Sequence, residues 1–373
     1  RRAIGVWTLA LTVTAWLRWD MFDVEDTPPF NSIFQQRYGI RNDDTLDSKS
    51  ILQPRLSFDW QVDDRLTITG GAGIFSGGNP LVWISNNYTN TGVAIGTAPN
   101  SVAEDTGLIA GFDGRNIPQA LQDSVTASAG LGLGNVNALD PDFDLPSVTR
   151  FSLGAVYEAD LSPIKLGDGW TLGADLLYGI TDDPVVWLAP NLAPAALAPD
   201  GRQIFNAIDD QADPDCSNAF ANATSTLADG DCSARRLGSG DTDFIITNSD
   251  ENPTQFVASI YASQEWSWGK NDLGMTLGYA YTDAEDVNPG VSSRAVSNFE
   301  RVSTDNFNNL RSATSNYEIA HRFTARFDYS REWKPGWITS ATLFGQLNEG
   351  RAFSYTFNNG GSSSTDGLND FVS

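Results

Sequence analysis

Few side chains in this 373-residue chain are spaced for chemistry. His321 is the single histidine. Acid–base work by an imidazole needs a nucleophile or carboxylate within hydrogen-bond reach, and sequence spacing sets none beside it. Its parity with Ile319 and Phe323 points instead to lipid headgroups or a neighbouring strand. Cys216 and Cys232 share one polar segment of a chain with no other cysteine, a pattern that predicts a local disulfide in an oxidising compartment. Two thiolates alone do not make a structural zinc site. The acidic run Asp209-Asp210-Gln211-Ala212-Asp213-Pro214-Asp215 offers oxygens to Ca²⁺ but lacks EF-hand spacing, so it reads as a solvated loop. Nothing here predicts an enzyme, a resident cofactor or a metal site. The group best suited to hold a ligand is Trp83, Asn86, Asn87 and Tyr88. A ring face beside directional amides orients a sugar, a peptide or a siderophore. The plainer role for Trp83 is to pack its loop against a rim.

The elements that would position these groups are strands. From Arg55 to Ile74, Leu56, Phe58, Trp60 and Val62 alternate with Ser57, Asp59 and Gln61. After Asp63-Asp64 the alternation resumes at Leu66, Ile68, Gly70, Ala72 and Ile74. A period of two sends neighbouring side chains to opposite faces, and a two-residue break marks a tight hairpin. The same pattern recurs over Trp7–Phe22, Val148–Ala159, Trp170–Thr181, Phe256–Trp266, Leu273–Thr282, Tyr317–Ser330 and Trp337–Leu347. Alternation in Trp7–Phe22, with no cleavage site after it, argues against a secretion signal. Phe353, Tyr355 and Phe357 prolong the last strand past a bulge or begin a tenth; nine is favoured.

The connections sort themselves by side. Turns of 2 to 10 residues alternate with segments of about 30 to 70. Runs this long cross a bilayer when tilted, and short turns on one side with long loops on the other mark outer-membrane barrels. The fold class expected is therefore all-β: an antiparallel transmembrane β-barrel, partial, with nine or ten strands. No apolar run is long enough for a membrane helix, which leaves a barrel untouched. The net charge of −24 excludes a nucleic-acid partner, because phosphate binding needs a basic footprint. The chain also holds 11 Trp, 10 Tyr and 20 Phe, many near strand ends, where interfacial girdles form.

Short motifs in order along the chain resemble Oar-like TonB-dependent receptors. They are Gln53-Pro54-Arg55, the stretch IFSGGNPLVWISNNYTNTG from Ile74 to Gly92, DFDLPSV from Asp142 to Val148, YEIAHRFT from Tyr317 to Thr324, and Arg351-Ala352-Phe353-Ser354-Tyr355. The resemblance implies a barrel of about twenty-two strands, an N-terminal plug and a box that engages TonB. Residues 1–373 match only barrel, so the chain is expected to be a fragment of such a receptor. By the same resemblance it would lie in the outer membrane of a Gram-negative bacterium. There it would import a scarce siderophore, oligosaccharide, peptide or similar nutrient. Its partners would be the TonB-ExbB-ExbD complex, reached through the plug, and outer-membrane lipid and lipopolysaccharide. The alternative is a passive porin or adhesin-like barrel without energy coupling.

Overall fold

The computed structural model describes residues 10–77, 81–96, 114–130, 132, 134–190, 192–199, 201–207, 243–356 and 371–372. Nine long strands carry the architecture. They are β1 (Ala10–Met21), β2 (Ser50–Gln61), β3 (Leu66–Phe75), β4 (Ser147–Ala159), β5 (Trp170–Asp182), β6 (Thr254–Trp268), β7 (Asn271–Asp286), β8 (His321–Lys334) and β9 (Trp337–Asn348). Each pairs antiparallel with the next, in chain order. Every alternating segment is a strand over its described residues (residues 7–9 lie outside them), and two starts shift most. β2 begins at Ser50 rather than Arg55, and β8 begins at His321 rather than Tyr317. Pro54 is tolerated inside β2 because pairing with β3 starts only at Arg55. Residues Tyr355–Thr356 pair with Phe371–Val372 in a separate two-stranded sheet, so among the described residues the path stays at nine strands, with the two-residue strand Ala313–Thr314 pairing beside β7 off that path.

The register brings all the apolar parities onto one face. A single row across the sheet reads Leu11, Trp60, Ile68, Ala155, Ala174, Ile260, Tyr279, Phe323, Leu347. The adjacent row reads Ala10, Gln61, Thr67, Val156, Gly173, Tyr261, Gly278, Thr324, Gln346, and belongs to the polar face. Both rows start at the end of β1 far from the long loops and climb to the loop end of β9. That stagger is what tilted strands in a barrel wall require.

Charge follows the same division. Among the described residues, the apolar face carries Asp182, Asp283, Glu285 and Arg331 only at its two rims. The other face holds Arg18, Asp20, Arg55, Asp59, Arg150, Asp175, Glu265, Asp272, Arg322, Arg326 and Asp328 along its whole height. Aromatic rings band the apolar face. Trp19, Tyr178, Phe256, Tyr281 and Phe323 lie toward the loop end, and Trp60, Tyr157, Trp266, Trp268, Trp333 and Trp337 toward the turn end. Between the bands are aliphatic side chains, still exposed: Leu56 at 53%, Leu153 at 49%, Leu343 at 68%. No second layer covers them among the described residues. The fold is all-β, an antiparallel transmembrane barrel wall, left open between β1 and β9, whose outer edges pair with no other strand among the described residues.

The compact core lies elsewhere. Apart from Ala159 and Trp170, the buried apolar residues all come from the long connections 22–49, 76–146, 183–253 and 287–320. The described parts of these four segments fold together at one end of the wall as a cap. It contains α1 (Ser32–Tyr38), α2 (Leu81–Thr89), α3 (Gln119–Gly130) and α4 (Ala295–Glu300). A small sheet joins them, with Asn137–Leu139 parallel to Phe244–Asn248 and Val185–Leu188 antiparallel on its other side. Trp187, Phe143, Leu139 and Ile246 are almost wholly buried there.

Candidate functional site

The cap and the polar face below it hold the polar and aromatic groups that could meet a ligand. Asn31 is the main tie point. Its Oδ1 caps α1 by accepting from the backbone N–H groups of Ile33 (2.9 Å) and Phe34 (3.1 Å). A side-chain oxygen at that position satisfies donors that the first helical turn leaves without partners. Its Nδ2 reaches across to the carbonyls of Thr91 (3.0 Å) and Gly132 (2.9 Å), in a different loop. The backbone must pass very close at this point. Gly92 has φ +73°, and a Cβ there would sit 2.7 Å from the Gly134 carbonyl oxygen.

A second tie is a buried ion pair. Arg37 Nη1 lies 3.5 Å from Asp243 Oδ2, with the two side chains 1% and 0% exposed. The same carboxylate accepts from Tyr38 Oη (2.9 Å) and from the Val136 N–H (3.0 Å). Three long loops thus meet on one acid. Buried charges are tolerated when paired and hydrogen-bonded in this way.

The four residues read from the sequence as a ligand group all lie on or beside α2, and they face different ways. Trp83 is half-buried: it packs edge-on against Trp187 at 4.9 Å and 83°, and its Nε1 donates to the Ser292 carbonyl at 2.7 Å. Asn86 Nδ2 donates to the Ser293 carbonyl at 2.7 Å. Tyr88 Oη donates to the Asp26 carbonyl at 2.8 Å. Trp83 and Asn86 therefore brace α2 against the segment before α4, and Tyr88 braces it against the β1–β2 connection. The ring packs inward because the apolar cluster around Trp187 offers it more than solvent does. Asn87 differs. It is 0% exposed, and neither amide atom has a hydrogen-bond partner. Such a group carries a desolvation penalty of about 1–3 kcal/mol. The cysteines 216 and 232, and the acidic run 209–215, lie outside the described residues.

The cap is electrostatically uneven. Burial raises the Asp183 carboxyl above its ordinary value, and the neighbouring Asp144 and Asp182 add to the rise. Asp44 is raised by burial and then by Asp43. Asp47 is held low by hydrogen bonds from the Val24 N–H and the Ser48 hydroxyl. His321 sits on the apolar face at the loop-end rim, with Tyr279 Oη 2.8 Å from its Nδ1 and Glu349 Oε2 3.8 Å from its Nε2. Its ring neighbours are Tyr279 and Tyr281 of the adjoining strand β7. Among the described residues no cluster of metal-binding side chains occurs.

On the polar face, small residues leave room for large neighbours. Gly173 of β5 lies directly under the ring of Tyr261 from β6, where any Cβ would collide with it. Next to the cap, Gln53 is completely buried and organises the wall: its Nε2 donates to Asp20 Oδ2 (2.8 Å), and its Oε1 accepts from the Ser76 N–H (3.0 Å). Sequence reasoning missed this junction. Its only trace was the alternation that puts Asp20 and Gln53 on the polar parity.

No protein-family model matches the chain. No curated protein matches it in sequence. Among solved structures it is similar to the outer membrane transporter YddB from Escherichia coli, with 12% identity and a TM-score of 0.43. That match covers 87% of this chain and 32% of the other, so the chain spans about a third of that transporter's length.

Proposed function

We propose that this chain forms barrel wall and extracellular cap of an outer-membrane transporter, of the TonB-dependent, Oar-like kind, in a Gram-negative bacterium. One observation carries the reading: charge is sorted by face across the whole sheet, with aromatic bands at both rims and a folded cap at one end. A charge-free band between aromatic girdles suits acyl chains, and the charged face suits a wet lumen. Ligand capture falls to the cap. There α2, with Trp83, Asn86, Asn87 and Tyr88, is the part to test, because Asn87 alone holds an unused amide. The cargo would be a scarce nutrient such as a siderophore, oligosaccharide or peptide. Energy would come from the TonB-ExbB-ExbD complex acting on a plug domain, since the outer membrane holds no usable ion gradient. The lipid-facing rim would contact lipopolysaccharide, and no catalytic role is assigned.

Uptake by the complete receptor in cells tests this directly. A deletion strain grown on defined iron and carbon sources should lose growth on one of them. A protonophore should stop uptake while leaving surface binding intact. Uptake that persists with the protonophore would replace this reading with a passive pore.

A further inference from the structure

Asp20, on the polar face near the cap, is already engaged: Arg18 Nε donates to it at 2.8 Å and Gln53 Nε2 at 2.8 Å. Two other arginines stand close by with no carboxylate in salt-bridge contact among the described residues; the Asp20 charge reaches Arg55 only at longer range, across Gln53. Arg55 donates from Nη2 to Gln53 Oε1 (3.0 Å) and from Nε to the Ile74 carbonyl (3.4 Å), both neutral acceptors. Its guanidinium carbon lies 4.3 Å from the centre of the Phe75 ring. Arg150 approaches the same ring at 5.7 Å. Arg150 makes no hydrogen bond or ion pair among the described residues, and its Nε is buried without a partner. Both arginines flank Gly73 in the register, which holds them on the polar face of adjoining strands.

A chain with 47 acids and 23 bases thus keeps two guanidinium groups against one ring, with no salt-bridge partner among the described residues, at the mouth end of the wall. Like charges held together need an anion to offset their repulsion, and planar guanidinium groups pair with carboxylate or phosphate in bidentate fashion. The aromatic ring between them fixes both planes by cation–π contact. We infer that Arg55, Arg150 and Phe75 form an oxyanion subsite on the inner wall just below the cap, which takes a carboxylate- or phosphate-bearing small molecule as it leaves the loops. This inference rests on the transport reading, because it takes the polar face as the lumen.

The complete receptor, purified in detergent, is titrated with citrate and with inorganic phosphate by calorimetry. Wild type should bind citrate, with affinity that falls as salt rises. Binding of phosphate as well would assign the site to oxyanions in general, and citrate alone would assign it to carboxylates. Arg55→Gln/Arg150→Gln should weaken citrate binding about a hundredfold, at about tenfold per charged hydrogen bond lost. Arg322→Gln, on the same face but away from Phe75, should leave it unchanged. Arg150→Gln alone breaks no described hydrogen bond, so it tests the site at about tenfold even where the double variant misfolds. No binding by wild type, as when another segment's carboxylate fills the site, overturns the inference. So does unchanged binding by the variants. Heat-modifiable migration in gels reports the barrel independently, so failure of the subsite is distinguishable from failure of the transport reading.

Discussion

An arginine placed at Leu153 should cost this protein far more than one placed at Ser152. Leu153 is the central residue of the 13-residue strand β4, with Gly70 and Leu176 as its cross-strand neighbours on the apolar face. Half the strand beyond it rises about 20 Å. At a tilt of about 45° that is about 14 Å of depth, close to the middle of a hydrocarbon core about 30 Å thick. At that depth an arginine on the lipid side costs about 2–4 kcal/mol. Ser152 points to the polar face, between Gly71 and Leu177, where a charge stays hydrated and the cost should lie within about 0.5 kcal/mol. Urea titration of the protein folded into lipid vesicles, followed by tryptophan fluorescence, reads both values. Equal costs for Leu153→Arg and Ser152→Arg, or no cost for Leu153→Arg, would refute the assignment of faces.

Four predictions concern the cap. Asp243→Asn strips the charge from a buried pair and leaves Arg37 buried against a neutral group, at a cost of about 3–5 kcal/mol. Hydrogen exchange should then speed up in α1 and at Val136 while β3 to β8 stay protected; uniform protection would contradict the tie. Gly92→Ala forces a Cβ into a left-handed backbone position and against the Gly134 carbonyl, so cap stability should fall by more than about 1 kcal/mol in the same assay. Asp183 has a raised folded pKa, so its ionised form works against the fold and protonation favours it. Cap protection should therefore rise as pH falls through that raised value toward the ordinary carboxylate pKa. Asp183→Asn should be more stable than wild type at pH 7 and show less of that rise. Asp47 runs the opposite way: its stabilisation holds above the ordinary carboxylate pKa and is lost as pH falls through its lowered value.

The wall was legible because membrane strands write their environment into every second residue. Leu343 and Leu347 need no knowledge of Phe323 or Phe327 to reveal which way they face. Strand ends were less clear where Pro54 and the turn at Tyr317 blur the pattern. The cap was illegible for a different reason. Its helices are short, with α1 formed by SIFQQRY and capped by Asn31, whose other partners lie 60 and 101 residues away. Isolated helices of that length do not stand alone, so no local signal announces them. The tryptophan-and-amide group at 83–88 was visible as residue types but not as a geometry. Whether Trp83 meets a ligand or Trp187 depends on a loop 100 residues further on. Arg55 and Arg150 escaped notice because each looks ordinary alone, and only the register brings them to one ring.

The claim beneath all of this is that one side of the sheet touches lipid and the other touches water. Spin labels placed singly from position 149 to 157 of β4 in the vesicle-bound protein measure it most directly, by their collisions with oxygen and with a water-soluble nickel complex. The account predicts that 151, 153 and 155 collide with oxygen and that 150, 152 and 154 collide with nickel. Protection of 151, 153 and 155 from both reagents would mean that protein covers them, and the wall would not be a membrane wall.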